Sequence, residues 1–184
     1  VISSYSYTYD AANNQLSKTD LNGTDNYTYD SLGRIITESL SGGTTINYSY
    51  DPSGNRISSV KVIDNNTTQE NYAYDTSNKL VSVSESVNGL LVKVVDYTND
   101  YNGNNLKRTQ KNYENDSLKS TYVVLSNTFD KFNQLVQSVT SDNKTVVNTY
   151  NGEGRRVKKK VLNGSKTKYI YDGDKVIAEF FYDK

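Results

Sequence analysis

One phrase recurs along this chain and constrains its fold more than any other feature. In its fullest form it runs Tyr48-Ser49-Tyr50-Asp51-Pro52-Ser53-Gly54-Asn55-Arg56-Ile57. Aligned on the acidic position, copies fall at Asp10, Asp30, Asp51, Asp75, Asp100, Asp130, Asn151 and Asp172. The intervals are 20, 21, 24, 25, 30, 21 and 21 residues. A period of this size marks a repeat architecture, in which each unit leans on its neighbours.

Each part of the phrase has a physical reading. Side chains alternate along a strand, so the Tyr-x-Tyr step puts both rings on one face. The paired slots hold Tyr7/Tyr9, Tyr27/Tyr29, Tyr48/Tyr50, Tyr72/Tyr74, Tyr97/Asn99, Asn127/Phe129, Asn148/Tyr150 and Tyr169/Tyr171. Most of the 17 tyrosines fall in these slots, which argues against scattered surface use. The Asp that follows suits the first position of a type I turn, where its carboxylate accepts nearby backbone N–H groups. Three places on stand Gly33, Gly54, Gly103 and Gly154, or Asn13, Asn78 and Asn133. Gly and Asn best tolerate positive φ, so this position predicts the left-handed residue that closes a short hairpin loop. Asp172 departs from the pattern, with Gly173 directly after it, and predicts a tighter loop. An aliphatic then starts the outgoing strand: Leu16, Ile35, Ile57, Leu80, Leu106, Leu135, Val157 or Val176.

Between these turns lie others of a second kind, at Asn22-Gly23, Gly42-Gly43, Asp64 to Asn66, Asn88-Gly89 and Asn163-Gly164. Their alternation predicts an antiparallel meander of roughly 16 strands with no helix. The first strand is expected over residues 2–9. The widest interval, between Lys107 and Thr128, predicts a longer loop around the polar run Asn112 to Asp116. A four-bladed β-propeller with two repeats per blade is the alternative arrangement of the same strands.

Composition limits the chemistry. Basic and acidic residues both number 21, so no global field draws nucleic acid or an anionic membrane. No apolar run approaches the ~18 residues of a membrane-spanning helix. The chain has no Cys and no His, which removes disulfides, thiolate metal sites and the Ser–His and Cys–His nucleophile pairs. Neither a cofactor nor an enzymatic activity is expected. The first residue is Val1 and Met is absent, so the chain is expected to be a single array, 1–184, cut from a longer protein. Its Asn, Ser, Thr and Tyr content suits an extracellular or surface protein of bacteria.

The segments Tyr29-Asp30-Ser31-Leu32-Gly33-Arg34-Ile35, Tyr50 to Ile57, and Tyr150-Asn151-Gly152-Glu153-Gly154-Arg155-Arg156-Val157 resemble the YD-repeat, or RHS-repeat, family of surface and toxin proteins. The resemblance covers essentially the whole chain. It implies an all-β array of eight antiparallel hairpins forming a curved, spiralling sheet, a segment of a shell wall. It also implies a structural role, with further repeats or other copies end to end, or an enclosed toxin domain, as partners.

The candidate residues carry competing readings. The turn residues Asp10, Asp30, Asp51, Asp75, Asp100, Asp130, Asn151 and Asp172 could hold calcium or act as acid–base groups. One equivalent place per repeat, with Asn151 substituting, favours turn capping instead. The rings of Tyr7, Tyr9, Tyr27, Tyr29, Tyr48, Tyr50, Tyr72, Tyr74, Tyr150, Tyr169 and Tyr171 could stack on glycans as an adhesin does, or on one another between hairpins. The basic run at Arg155, Arg156, Lys158, Lys159, Lys160, Lys166 and Lys168 could meet a polyanion, or serve as a solvated face guarding a sheet edge.

Overall fold

A computed structural model describes residues 4–182; the expected strand's residues 2 and 3 lie outside them. Among the described residues there is no helix and there are sixteen strands. They are β1 Ser6–Tyr9, β2 Gln15–Asp20, β3 Gly23–Tyr29, β4 Ile35–Ser39, β5 Thr45–Tyr50, β6 Arg56–Ile63, β7 Asn66–Tyr74 and β8 Leu80–Val87. Then come β9 Leu90–Asn99, β10 Asn105–Glu114, β11 Ser117–Phe129, β12 Leu135–Thr140, β13 Thr145–Tyr150, β14 Arg156–Val161, β15 Lys166–Asp172 and β16 Lys175–Tyr182. Strand order follows chain order throughout, in one open sheet.

Two compact units share the chain: Val1–Val94 with Asn112–Lys119, and Val95–Lys111 with Ser120–Lys184. In the first, antiparallel pairing passes without a break from β1 to β8, including β4 with β5. A propeller blade would have ended after β4, so the propeller alternative is wrong. In the second, the same meander runs from β11 to β16.

The hydrogen bonds of the repeated turn explain its sequence. Asp51 N–H donates to the Asn55 carbonyl at 2.9 Å, and Gly54 N–H donates to the Asp51 carbonyl at 3.1 Å. The same pair of bonds recurs at Asp10, Asp30, Asp100, Asp130 and Asn151. The third residue on is left-handed each time, at φ 67° in Asn13, 91° in Gly54 and 60° in Asn133. The last hairpin is indeed tighter: Asp172 pairs directly with Lys175 around Gly173 and Asp174.

Three details differ from the sequence reading. No long loop interrupts 107–128; β10 and β11 lengthen instead, and a two-residue turn of Asn115 and Asp116 joins them, both at positive φ. The Asn22-Gly23 turn sits one residue early, on Leu21 and Asn22, because Gly23 pairs with Asp20 and begins β3. Third, a β-bulge follows the repeated turn. Tyr29 pairs with Ile35 while Thr28 pairs with Thr37, so Ile35 and Ile36 together oppose one tyrosine. The shift recurs at Tyr9, Tyr50, Tyr74, Phe129, Tyr150 and Tyr171. An extra residue of this kind sharpens the local twist and leaves the ladder irregular at one place per hairpin.

Little is enclosed. The accessible area is 12026 Å², whereas a compact chain of 20.7 kDa exposes about 8,900 Å². Val83, 9% exposed, is the one buried apolar side chain among the described residues. One face is nonetheless better covered. Tyr27, Tyr29, Tyr48, Tyr50, Tyr72 and Tyr74 are half-buried, while the residues between each pair, Thr28, Ser49 and Ala73, are exposed. Both rings of a pair therefore share the covered face.

Candidate functional site

The irregular carbonyl at each bulge has a dedicated partner. Tyr50 Oη donates to the Ile35 carbonyl at 2.9 Å, and Tyr29 Oη to Gln15 at 2.8 Å. Tyr74 donates to Arg56 at 3.0 Å, Tyr150 to Leu135 at 3.0 Å, and Tyr171 to Arg156 at 2.9 Å. Each acceptor stands five residues past the turn Asp or Asn of the preceding hairpin, at the bulge itself. The tyrosine directly before one turn thus ties down the weak point made by the turn before it. Phe129 lacks the hydroxyl, and there Asn127 Nδ2 donates to the equivalent carbonyl, that of Asn105, at 2.9 Å. Asn148 Nδ2 joins Tyr150 on the Leu135 carbonyl.

The turn carboxylates are occupied locally. One Asp30 oxygen accepts the N–H groups of Leu32 and Arg34, both at 2.9 Å, and its other oxygen takes Arg34 Nε at 2.6 Å. Asp10, Asp75 and Asp130 accept the same two backbone N–H groups. Asp51 and Asp100 accept that of Asn55 or Asn104 together with its side-chain amide. Asn151 Oδ1 does the backbone part at 3.1 and 2.9 Å. These bonds favour the ionised form. Asp10 and Asp51 are lowered chiefly by the side-chain amides of Asn14 and Asn55, Asp30 and Asp75 by the backbone N–H of Arg34 and Lys79.

The residue four past the turn Asp reaches onward, which the sequence reading missed. Arg34 Nη1 donates to the Asp51 carbonyl at 3.2 Å, and Asn55 Nδ2 to Asn78 Oδ1 at 3.0 Å. Asn104 Nδ2 meets Asn133 Oδ1 at 3.1 Å, and Arg155 Nη2 meets Asp174 at 2.8 Å. Its signal was visible: Asn14, Arg34, Asn55, Lys79, Asn104, Gln134 and Arg155 are all polar with donor side chains.

Cations and acids also hold the rings. Arg34 lies 4.6 Å from the Tyr50 centroid, and Arg56 sits between Tyr48 and Tyr72 at 5.4 and 4.8 Å. Arg156 covers Tyr169 at 5.1 Å. Tyr48 donates to Glu38 at 2.7 Å and Tyr72 to Glu70. Burial first, then those carboxylates, pushes both phenols up to about 12. Burial likewise raises Tyr27. Tyr7 and Tyr9, on the outer strand β1, are exposed. Among the described residues no three acidic side chains come together as metal ligands.

Residues 29–68 match the RHS Repeat family. The chain is 28% identical over 146 residues to the tRNA3(Ser)-specific nuclease WapA of Bacillus spizizenii, covering 79% of this chain and 5% of that protein. It is similar to a chain in the crystal structure of TcdB2-TccC3-TEV, with 18% identity and a TM-score of 0.48, over 93% of this chain and 12% of that one. The Photorhabdus luminescens Tc holotoxin pore gives 18% identity and a TM-score of 0.47, over 100% of this chain and 12% of the other.

Proposed function

We propose that this RHS-repeat chain, whose family match spans residues 29–68, is a structural wall segment of a longer bacterial surface or secreted protein. It performs no catalysis in this reading. Its partners are further repeats of the same parent chain or other copies joined end to end, as in a toxin-enclosing or self-assembling wall.

The observation that carries the reading is the bond from the tyrosine before a turn to the previous hairpin's bulge carbonyl, made by Tyr29, Tyr50, Tyr74, Tyr150 and Tyr171. It consumes the hydroxyl of the most regular residue in the sequence on hairpin-to-hairpin attachment. The turn carboxylates are consumed in the same way, by N–H groups of their own loops. A repeat that spends its polar groups on its neighbours is built to propagate a sheet, because each unit alone buries too little to hold itself.

The adhesin reading is favoured at one place, the exposed rings of Tyr7 and Tyr9. A glycan array run beside urea unfolding separates the two. Under the wall reading, Tyr27→Ala and Tyr48→Ala lower stability and no sugar is retained. Retention of a sugar that Tyr7→Ala and Tyr9→Ala abolish, with stability unchanged, would replace it.

A further inference from the structure

The second unit concentrates charge where the meander gives no reason for it. Lys158 pairs directly with Lys168, and Lys160 directly with Lys166, across β14 and β15. Cross-strand partners share a face, so the four lysines rise from one face of two strands ~4.8 Å apart, at backbone positions ~6.8 Å apart along each strand. Like charges directly opposite one another destabilise a sheet. Among the described residues no acidic side chain offsets them. Strands β13 and β14 contain none; Glu179 of β16 pairs with Tyr169 and faces the other way; Asp172 sits at the far turn beside Lys175. None of the four is ion-paired among the described residues.

Guarding an edge does not account for them. Both β14 and β15 are paired on two sides, and the outer strand of this unit is β16. Beside the lysines on the same face lie two exposed rings, Phe180 opposite Lys168 and Tyr182 opposite Lys166. Lys166 and Lys168 stand 5.6 and 5.7 Å from the Tyr182 centroid. Of these groups Lys158, Lys168, Phe180 and Tyr182 line a groove of about 460 Å³, together with Thr149 and Ile170, and Lys160 and Lys166 stand beside it on the same face.

We infer that this face of β14–β16 binds a single-stranded nucleic acid, its phosphates on the lysine quartet and its bases on Phe180 and Tyr182. The pairing of a cationic track with exposed rings is what such a strand requires, since the track follows the backbone and any base has a face to stack. A teichoic-acid-type phosphate polymer or poly-glutamate uses the charges and brings no base to stack on Phe180 and Tyr182. The overall neutrality of the chain does not bear on this, because a Debye length of about 10 Å confines the interaction to the patch.

The test is fluorescence anisotropy of a labelled oligo-uridylate titrated with the 184-residue chain at several salt concentrations. Four phosphate contacts on a single strand give a log–log salt slope of about −2.8, or about 50-fold weaker binding from about 50 to 200 mM salt. The Lys158→Gln/Lys168→Gln variant removes two contacts and halves the slope to about −1.4. Tyr182→Leu weakens binding at every salt concentration and leaves the slope unchanged. Circular dichroism and urea midpoints of the variants establish that they fold, and loss of like-charge pairs should not lower the lysine variant's midpoint. Absence of binding at low salt overturns the inference. So does a slope indifferent to the lysine changes. Equal capture of poly-glutamate or a glycerol-phosphate polymer, with Tyr182→Leu neutral, overturns it in favour of general polyanion attraction.

Discussion

The hydroxyl of Tyr50 donates to the carbonyl of Ile35 at 2.9 Å, joining the residue before one turn to the bulge that follows the turn before it. The two residues belong to different hairpins, so the bond acts between repeats. The bulge leaves a backbone acceptor without its regular ladder partner, and the tyrosine brings both a ring and the missing donor. This explains why tyrosine rather than phenylalanine precedes the Asp in most copies: the ring alone would cover the bulge without satisfying it.

Acid should loosen the turns. The folded carboxylates of Asp10, Asp30, Asp51 and Asp75 titrate below their ordinary value of 3.8. A depressed folded pKa contributes stability that is fully present above the unfolded value and is lost as pH falls through the folded one. Urea midpoints should therefore stay level from neutrality to about pH 4 and fall below it. Replacing the four with Asn, as at Asn151, should flatten that fall.

How much of this was legible follows from which forces are local. The turn was readable because Asp, and Gly or Asn three places on, answer to the backbone of a few residues. The shared face of the rings followed from alternation alone. The bulge was not read, although adjacent aliphatics such as Ile35-Ile36 and Leu80-Val81 hint at a break in alternation. The polar run from Asn112 to Asp116 looked like a loop because the strand it ends, β10, carries Lys, Arg, Gln and Asn on a sheet with little interior to enforce an apolar pattern. The onward reach of Arg34 and Asn55 depends on where the next hairpin lies, which no local pattern states.

Alkali should act on two phenols. Tyr48 and Tyr72 are pushed up to about 12 by burial and by Glu38 and Glu70. A raised folded pKa contributes stability that is fully present below the unfolded value, near 10, and is lost as pH rises toward the folded one. Absorbance titration should find the phenols of Tyr48 and Tyr72 still protonated at about pH 11 in the folded chain. Glu38→Gln should bring Tyr48 down, leaving Tyr72 in place.

Two glycines should respond differently to substitution. Gly54 has φ of 91° with open space around its missing side chain, and Asn13, Asn78 and Asn133 hold the same place. Gly54→Asn should cost only a few tenths of a kcal/mol and Gly54→Val about 2 kcal/mol or more, as the left-handed region dictates. At Gly23, φ is 127° and an added Cβ would stand 2.8 Å from the Ser41 Cβ. Gly23→Ala should cost more than Gly54→Ala, read as urea-unfolding free energies.

The measurement that bears most directly on hairpin-to-hairpin attachment compares Tyr50→Phe with Tyr150→Phe by urea unfolding. Both changes keep the ring and delete one hydroxyl. The Ile35 carbonyl then loses its tyrosine donor, at a cost of about 1 kcal/mol. The Leu135 carbonyl keeps Asn148 Nδ2 at 2.9 Å, so Tyr150→Phe should cost less than half as much. Losses of equal size, or no loss at either position, would contradict the account.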